Sequence, residues 1–193
     1  MTNFVLNSSE LREIDFYVSH FQSQRHLFEG FAKALVINLG ESPKLAPFIH
    51  FIKYRVKDQL HLKDKLNRKA IYAKNTGRMN KKTIKNLYNK ITDLAGVRIL
   101  HLHTDQILQM NEIILEILDE HQYRLIEGPK AICWDNEYAK LFSDLGIKTE
   151  SRDSMYTSVH FIIEANQKTK IRAELQVRTL MEEVWGEVSH RIN

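Results

Sequence analysis

Ile91-Thr-Asp-Leu-Ala-Gly-Val-Arg-Ile-Leu100 is the stretch on which the reading of this chain turns. Ala95 and Gly96 make a small-residue step into an apolar run that reads as a buried strand over 95–102, with Asp93 just ahead of it and Arg98 inside it. A carboxylate at the mouth of a strand is a common support for magnesium beside nucleotide phosphates, because a hard cation takes oxygen ligands on a rigid mount. One such carboxylate is weak evidence. Three further polar motifs, distant in sequence, fit the same chemistry.

Beyond this strand, residues 105–121 form an amphipathic pattern with Ile107, Met110, Ile114 and Leu118 on one helical face. Residues 123–134 read as a strand interrupted at Gly128-Pro129, and 137–145 as a short helix. Residues 156–165 and 171–177 read as two strands joined through Asn166-Gln-Lys168, a hairpin signal. A last helix begins near Thr179 and carries Val184, Trp185 and Val188. Upstream, Ser8 or Ser9 caps a long helix whose stripe runs Leu11, Ile14, Val18, Phe21, Phe28, Phe31 and Leu35, broken at Arg25 and ended by Gly40. A strand over 48–56, a basic helix over 60–73 and a polar helix over 81–90 follow. Helices and strands in this order imply an α/β (α+β) fold, a mixed β-sheet packed by helices with a long N-terminal helix.

The 193 residues suit a single domain, with 1–42 as an N-terminal helical segment and 43–193 as the core. A hydrophobic content of 43% is enough to bury a core. No apolar run approaches the roughly 20 residues of a membrane helix, and the N-terminus lacks the basic-then-apolar order of a signal peptide. The single Cys133 excludes an internal disulfide and any multi-cysteine metal site. A soluble, cytoplasmic protein with no membrane partner is the economical reading. The net charge of +4 hides an asymmetry, since residues 53–90 carry +11 and the rest of the chain −7. Such a block is either a solvated helix face or a polyanion-binding surface, and the concentration of charge favours the second.

In Glu174-Leu-Gln-Val-Arg178, strand alternation puts Glu174, Gln176 and Arg178 on one face. That row is either the strand's solvent side or a substrate-reading surface in which Glu174 acts as metal ligand or general base. In Tyr156-Thr-Ser-Val-His160, the same alternation groups Tyr156, Ser158 and His160. Tyr156 is then either a cross-strand packing residue or a flat platform for a base. Arg55-Val-Lys57 runs into Lys65 and Arg68, i,i+3 neighbours on the next helix. These four cations suit a triphosphate, and arginine also stacks on a purine. There is no glycine-rich phosphate loop, so side chains would do the binding. Together with Asp93 these groups supply what phosphoryl-type transfer needs: cations for phosphates, carboxylates for a metal and a hydroxyl proton, and an aromatic platform. Cys133, in an apolar strand, reads as inert.

In this order the motifs Arg55-Val-Lys57, Asp93-Leu-Ala-Gly-Val-Arg98, Tyr156-x-Ser-x-His160, Glu174-Leu-Gln-Val-Arg178-Thr179 and Trp185 with His190 resemble the synthetase domain of the RelA/SpoT family, in particular small alarmone synthetases. The resemblance implies a nucleotidyltransferase-like sheet and magnesium-dependent transfer of pyrophosphate from ATP to the 3′-hydroxyl of GDP or GTP, giving guanosine tetra- or pentaphosphate. It implies that Arg55 and Arg98 sandwich the donor adenine and that Lys57, Lys65 and Arg68 bind the ATP phosphates. Asp93 and Glu174 would hold magnesium, with Glu174 also activating the acceptor hydroxyl. Tyr156 would stack on the acceptor base, with His160, Gln176 and Arg178 completing that side, and Trp185 would pack its helix.

Departures lie mostly on the acceptor side. The family often has Gly-Tyr-Arg-Ser where this chain has Met155-Tyr156-Thr157-Ser158, so Arg152 or Lys148 would have to serve the acceptor phosphates. Glu183 stands where many relatives carry Asn or Asp. No His-Asp pair of the family's hydrolase domain is found, so alarmone hydrolysis is not expected. The stop soon after His190 suggests either a shortened protein or one domain of a longer one. Toxic relatives suggest an alternative acceptor, the 3′ end of tRNA, and an adenine nucleotide is a third. A catalytically silent nucleotide- or RNA-binding module is disfavoured because both carboxylates are present. The oligomeric state stays open.

Overall fold

The computed structural model describes residues 5–151, 156–166 and 170–192. Helix α1 (Ser8–Gly40) starts at a capping box: Asn7 accepts from the Ser9 and Glu10 amides at 3.0 and 2.9 Å, and Glu10 accepts from the Asn7 amide at 2.6 Å. The cap is therefore Asn7, one residue ahead of the serines expected for it. Ile14, Phe21, Phe28, Phe31 and Leu35 are buried as the stripe requires, whereas Leu11 stays exposed in the second turn. Arg25 breaks the stripe because it has another task, donating from Nη1 to the Lys57 carbonyl at 2.8 Å.

A 3₁₀ turn over Ala46–Phe48 delays strand β1 to Phe51–Val56. Helices α2 (Gln59–Asn75) and α3 (Thr83–Asn89) lead to strand β2 (Ala95–His101) and helix α4 (Ile107–Glu120). Strand β3 (Arg124–Cys133) runs through Gly128-Pro129 by shifting register there, where an interruption was expected. Helix α5 (Asn136–Asp144) precedes β4 (Lys148–Ser151), a strand that Lys-Thr-Glu-Ser does not announce by any apolar alternation. Strands β5 (Ser158–Glu164) and β6 (Arg172–Thr179) pair antiparallel, as the hairpin signal requires, and helix α6 (Leu180–Ile192) follows.

The six strands form one mixed sheet in the order β1-β2-β6-β5-β3-β4, with β2–β6 and β3–β4 parallel. Because side chains alternate across a strand, one face carries Val97, Ile99, Leu175, Val177, Val159, Phe161 and Ile163, which join Ile14, Phe21, Met110 and Ile114 in one core. The other face carries the charged residues. Helix α6 lies against the sheet on Glu183 and Gly186, while Val184, Trp185 and Val188 are 51, 49 and 44% exposed. The expectation that Trp185 packs its helix is thus corrected: the inward face of α6 serves a charged cluster, and its apolar residues point outward. Among the described residues no helix is long and apolar enough to cross a membrane.

Gly128 fixes the β3–β5 approach. Its φ is +107°, and a Cβ there would overlap the His160 carbonyl oxygen and lie 2.9 Å from Phe161 Cα. Gly128→Ala should therefore destabilise the fold by about 2 kcal/mol or more. The melting temperature should drop by roughly 5 °C; an unchanged melt would contradict this contact.

Candidate active site

Register assembles the charged face. Gly96 stands opposite both Arg55 on β1 and Glu174 on β6, and Arg98 stands opposite both Lys53 and Gln176. On the next strand His160 is opposite Gln176. Arg55 lies across Gly96, where a Cβ would meet Arg55 Cγ in ordinary contact at 3.6 Å. Between these strands opens a cavity of about 200 Å³, lined by Arg55, Asp93, Gly96, Arg98, Glu174 and Gln176 among others. A second recess of about 560 Å³, lined by Arg55, Lys57, His61, Lys65 and Arg68, continues from it along α2.

Asp93 lines the smaller cavity and is paired with two lysines that line the larger recess. Its carboxylate accepts from Lys57 Nζ at 2.7 Å and Lys65 Nζ at 2.9 Å. Burial pushes its pKa up, but the two lysines more than offset that and hold it below the ordinary aspartate range. Arg68 is exposed and pairs with Asp64 at 3.0 Å, on the rim of the larger recess. Arg55 is exposed too. Four of the five expected donor-side cations, Arg55, Lys57, Lys65 and Arg68, thus share one recess, and Arg98 lines the smaller cavity.

Glu174 sits in a polar row. His160 contacts its Oε1 through Nδ1 at 2.9 Å and meets Ser158 Oγ through Nε2 at 2.5 Å, and Gln176 Nε2 donates to Oε2 at 3.0 Å. Burial raises the Glu174 pKa and Asp93 opposes ionisation, yet His160 and Gln176 together leave it below the usual glutamate range. The Gln176 oxygen accepts from Arg98 Nε and Nη2 at 3.1 and 3.0 Å. Gln176 therefore links Glu174 to Arg98, a position between the two expected halves.

Glu183, a residue that helix periodicity does not single out as functional, is 6% exposed and gathers three cations from three strands. Lys53 Nζ lies 2.6 Å from Oε1, Arg98 Nη1 lies 2.8 and 2.9 Å from the two oxygens, and Arg178 Nη2 pairs with Oε2. Burial raises its pKa, and Lys53, Arg98 and Arg178 outweigh that to lower it. Arg178 in turn lies over the Tyr156 ring, 5.2 Å from its centroid. Tyr156 precedes β5 and so is not part of the strand expected from 156 onward. Its loop is held by Glu182, which accepts from the Thr157 amide at 2.9 Å.

Toward the far edge, Lys130 stands opposite His160 on β3 and pairs with Glu150 and with Glu127, the latter at 3.5 Å. Lys148, exposed on β4, is opposite Lys130, two strands from His160. Arg152 lies outside the described residues.

The residues present fit a magnesium ion. Asp93 and Glu174 line the same cavity, and no cluster of three or more His, Cys, Asp or Glu ligands exists among the described residues. Two carboxylates suit a hard cation that takes its remaining oxygens from phosphates and water.

A family model described as "Region found in RelA / SpoT proteins" matches residues 54–193. No curated protein matches the chain. Its fold is similar to that of the small alarmone synthetase 1 from Bacillus subtilis bound to its product pppGpp, with TM-score 0.58 and 18% identity over 89% of this chain and 81% of that one. The structure described only as that synthetase gives 0.57 and 18% over 90% and 79%, and its form bound to AMPCPP gives 0.52 and 16% over 89% and 78%.

Asp93, Glu174 and Glu183 all have lowered pKa values, so the folded state keeps them ionised where the unfolded chain already takes up protons. The stability they add is complete above the unfolded values near ~4 and is lost as pH falls through the folded ones. Asp93→Asn should lower the melting temperature at neutral pH, and the gap to wild type should narrow steadily below about pH 4.5. A gap independent of pH would contradict the paired Asp93.

Proposed function

The chain belongs to the RelA/SpoT family, and on that premise we propose that it transfers the pyrophosphoryl group of ATP to the 3′-hydroxyl of GDP or GTP, with magnesium. The observation that carries this reading is the shared cavity of Asp93 and Glu174, with the cationic recess of Lys57, Lys65 and Arg68 beside it and the Tyr156–Arg178 pair tied through Glu183 to Arg98 of its lining. Arg55 and Arg98 take the donor adenine, and Lys57, Lys65 and Arg68 take its phosphates. Tyr156 stacks on the acceptor base, and His160, Gln176 and Arg178 order that side. Lys148 and Arg152 are the candidates for the acceptor phosphates. The forms of the Bacillus subtilis synthetase bound to pppGpp and AMPCPP are compatible with both nucleotide assignments.

In the reaction the acceptor 3′-oxygen attacks the β-phosphorus of ATP, the bond from the β-phosphorus to the bridging oxygen of AMP breaks, and AMP leaves. The hydroxyl proton passes to Glu174. Magnesium, held by Asp93 and Glu174, would supply charge neutralisation on the transferred group. Phosphate binding draws Lys57 and Lys65 away from Asp93, freeing its oxygens for that ion. A lowered pKa makes Glu174 a weak base that is ionised at neutral pH. Its main service is to align the hydroxyl and accept the proton as the bond forms, which suits a transfer governed by positioning and electrostatics. His160 holds one Glu174 oxygen for that task.

A second acceptor, the 3′ end of tRNA, is favoured by one specific observation. Many cations of the basic block are spent inside the protein, as in the pairs Lys63–Asp15 and Lys74–Glu10. Arg78, Lys81, Lys82 and Lys85, around the start of α3, are exposed and form no ion pair among the described residues. They make a compact cationic surface for a polyanion.

Labelled ATP incubated with GDP, GTP, ATP or bulk tRNA should label GDP or GTP. Label confined to tRNA would replace the first reading with the second, and no labelled product from any acceptor would sink both. Glu174→Gln should cut turnover by about 10²-fold or more while ATP affinity changes little. Retained turnover would refute its role.

A further inference from the structure

Glu183 holds two guanidinium groups by their edges. All three Arg98 nitrogens are engaged in the plane of the group: Nε and Nη2 on the Gln176 oxygen, and Nη1 on both Glu183 oxygens. With that edge occupied, the flat faces of the Arg98 guanidinium are what remain to meet a ligand in the cavity it lines. Arg178 is held by Glu183 through Nη2, with its Nε left without a hydrogen-bond partner among the described residues, and it lies over the Tyr156 ring. Lys53 supplies a third cation to the same carboxylate, so Glu183 stays ionised although almost fully buried. The helix makes room for this: a Cβ at Gly186 would lie 3.2 Å from Arg178 Nη1.

We infer that Glu183 is a positioning residue that sets the planes of both nucleotide-stacking groups, Arg98 in the donor half and the Arg178–Tyr156 pair in the acceptor half. A guanidinium stacks well only when its plane is fixed, and a fork of fixed hydrogen bonds does that at lower entropic cost than packing alone. One carboxylate on α6 thereby couples two base sites that share no strand other than through Gln176. The role rests on the proposed two-nucleotide reaction, and it deepens that reading by naming what orders both sites.

The test compares wild type, Glu183→Gln and Glu183→Asp in two ways. Without nucleotide, NMR of the arginine side chains reads rotation about Nε–Cζ of Arg98 and Arg178. Rotation should be hindered for both in wild type, faster for both in Glu183→Gln, with Arg98 the less affected because Gln176 still holds its Nε and Nη2, and hindered again in part in Glu183→Asp, which keeps the charge. With nucleotide, calorimetry reads affinity for a non-hydrolysable ATP analogue and for GDP separately. Both dissociation constants should rise about tenfold in Glu183→Gln, and KM should rise with kcat little changed. Wild-type hindrance of both arginines in Glu183→Gln, or weakening of one nucleotide alone, would overturn the inference. If Glu183→Gln does not fold, Glu183→Asp decides: it must weaken both nucleotides together, and wild-type affinity for either overturns the role. Wild type that binds both nucleotides without transferring would refute the reaction while leaving these readouts intact.

Discussion

Three carboxylates, Asp93, Glu174 and Glu183, are taken largely out of water on one face of a sheet, and the rest of the site is arranged to keep them charged. Withdrawing an ion from water costs several kcal/mol, and it is tolerated only where partners are folded against it. Lys57 and Lys65 serve Asp93, His160 and Gln176 serve Glu174, and Lys53, Arg98 and Arg178 serve Glu183. The partners come from strands β1, β2, β5 and β6, from α2 and from the β1–α2 connection, so strand register and helix placement are bound to the same electrostatic requirement. The α1 contribution is of this kind as well, since Arg25 holds the backbone of Lys57 from beneath the strand end.

The balance has a consequence for ligand binding. Without nucleotide, the cations that would meet phosphate are already paired with Asp93. In the proposed reaction a triphosphate would exchange one set of ion pairs for another, and part of its binding strength would be spent on that exchange. The same exchange would free Asp93 and couple donor binding to the formation of the proposed metal site. Glu183 would behave differently. Its two arginines could keep their bonds to it and offer their faces, so it would not need to let go when a base stacks.

Much of the fold follows from periodicity. The α4 face of Met110, Ile114 and Leu118, the apolar run of β2 and the β5–β6 hairpin all appear where alternation and helical spacing put them. The row Glu174, Gln176, Arg178 was legible because a strand's parity is fixed by its own residues. What was not legible depended on partners. Nothing in Lys148-Thr-Glu-Ser151 marks a strand, because β4 is a short edge held by its neighbour β3. In the sequence Glu183 stands out only as a departure from the Asn or Asp of many relatives, until the sheet brings three cations to it, and Val184, Trp185 and Val188 read as an apolar packing face until that cluster takes the inward side. Such inversions of the ordinary pattern are expected where function overrides packing. The Lys57 and Lys65 pairing with Asp93 needed the β1–β2 register, which no single motif contains.

In the proposed reaction Asp93 would exchange its two lysines for a metal ion when donor phosphates bind. A crystal structure of the protein with magnesium and a non-hydrolysable ATP analogue tests this directly. Lys57 and Lys65 should then lie on phosphate oxygens, and the ion should be held by Asp93 and Glu174 beside the phosphates. A nucleotide bound with both lysines still on Asp93, or an ion held away from Asp93 and Glu174, would contradict it.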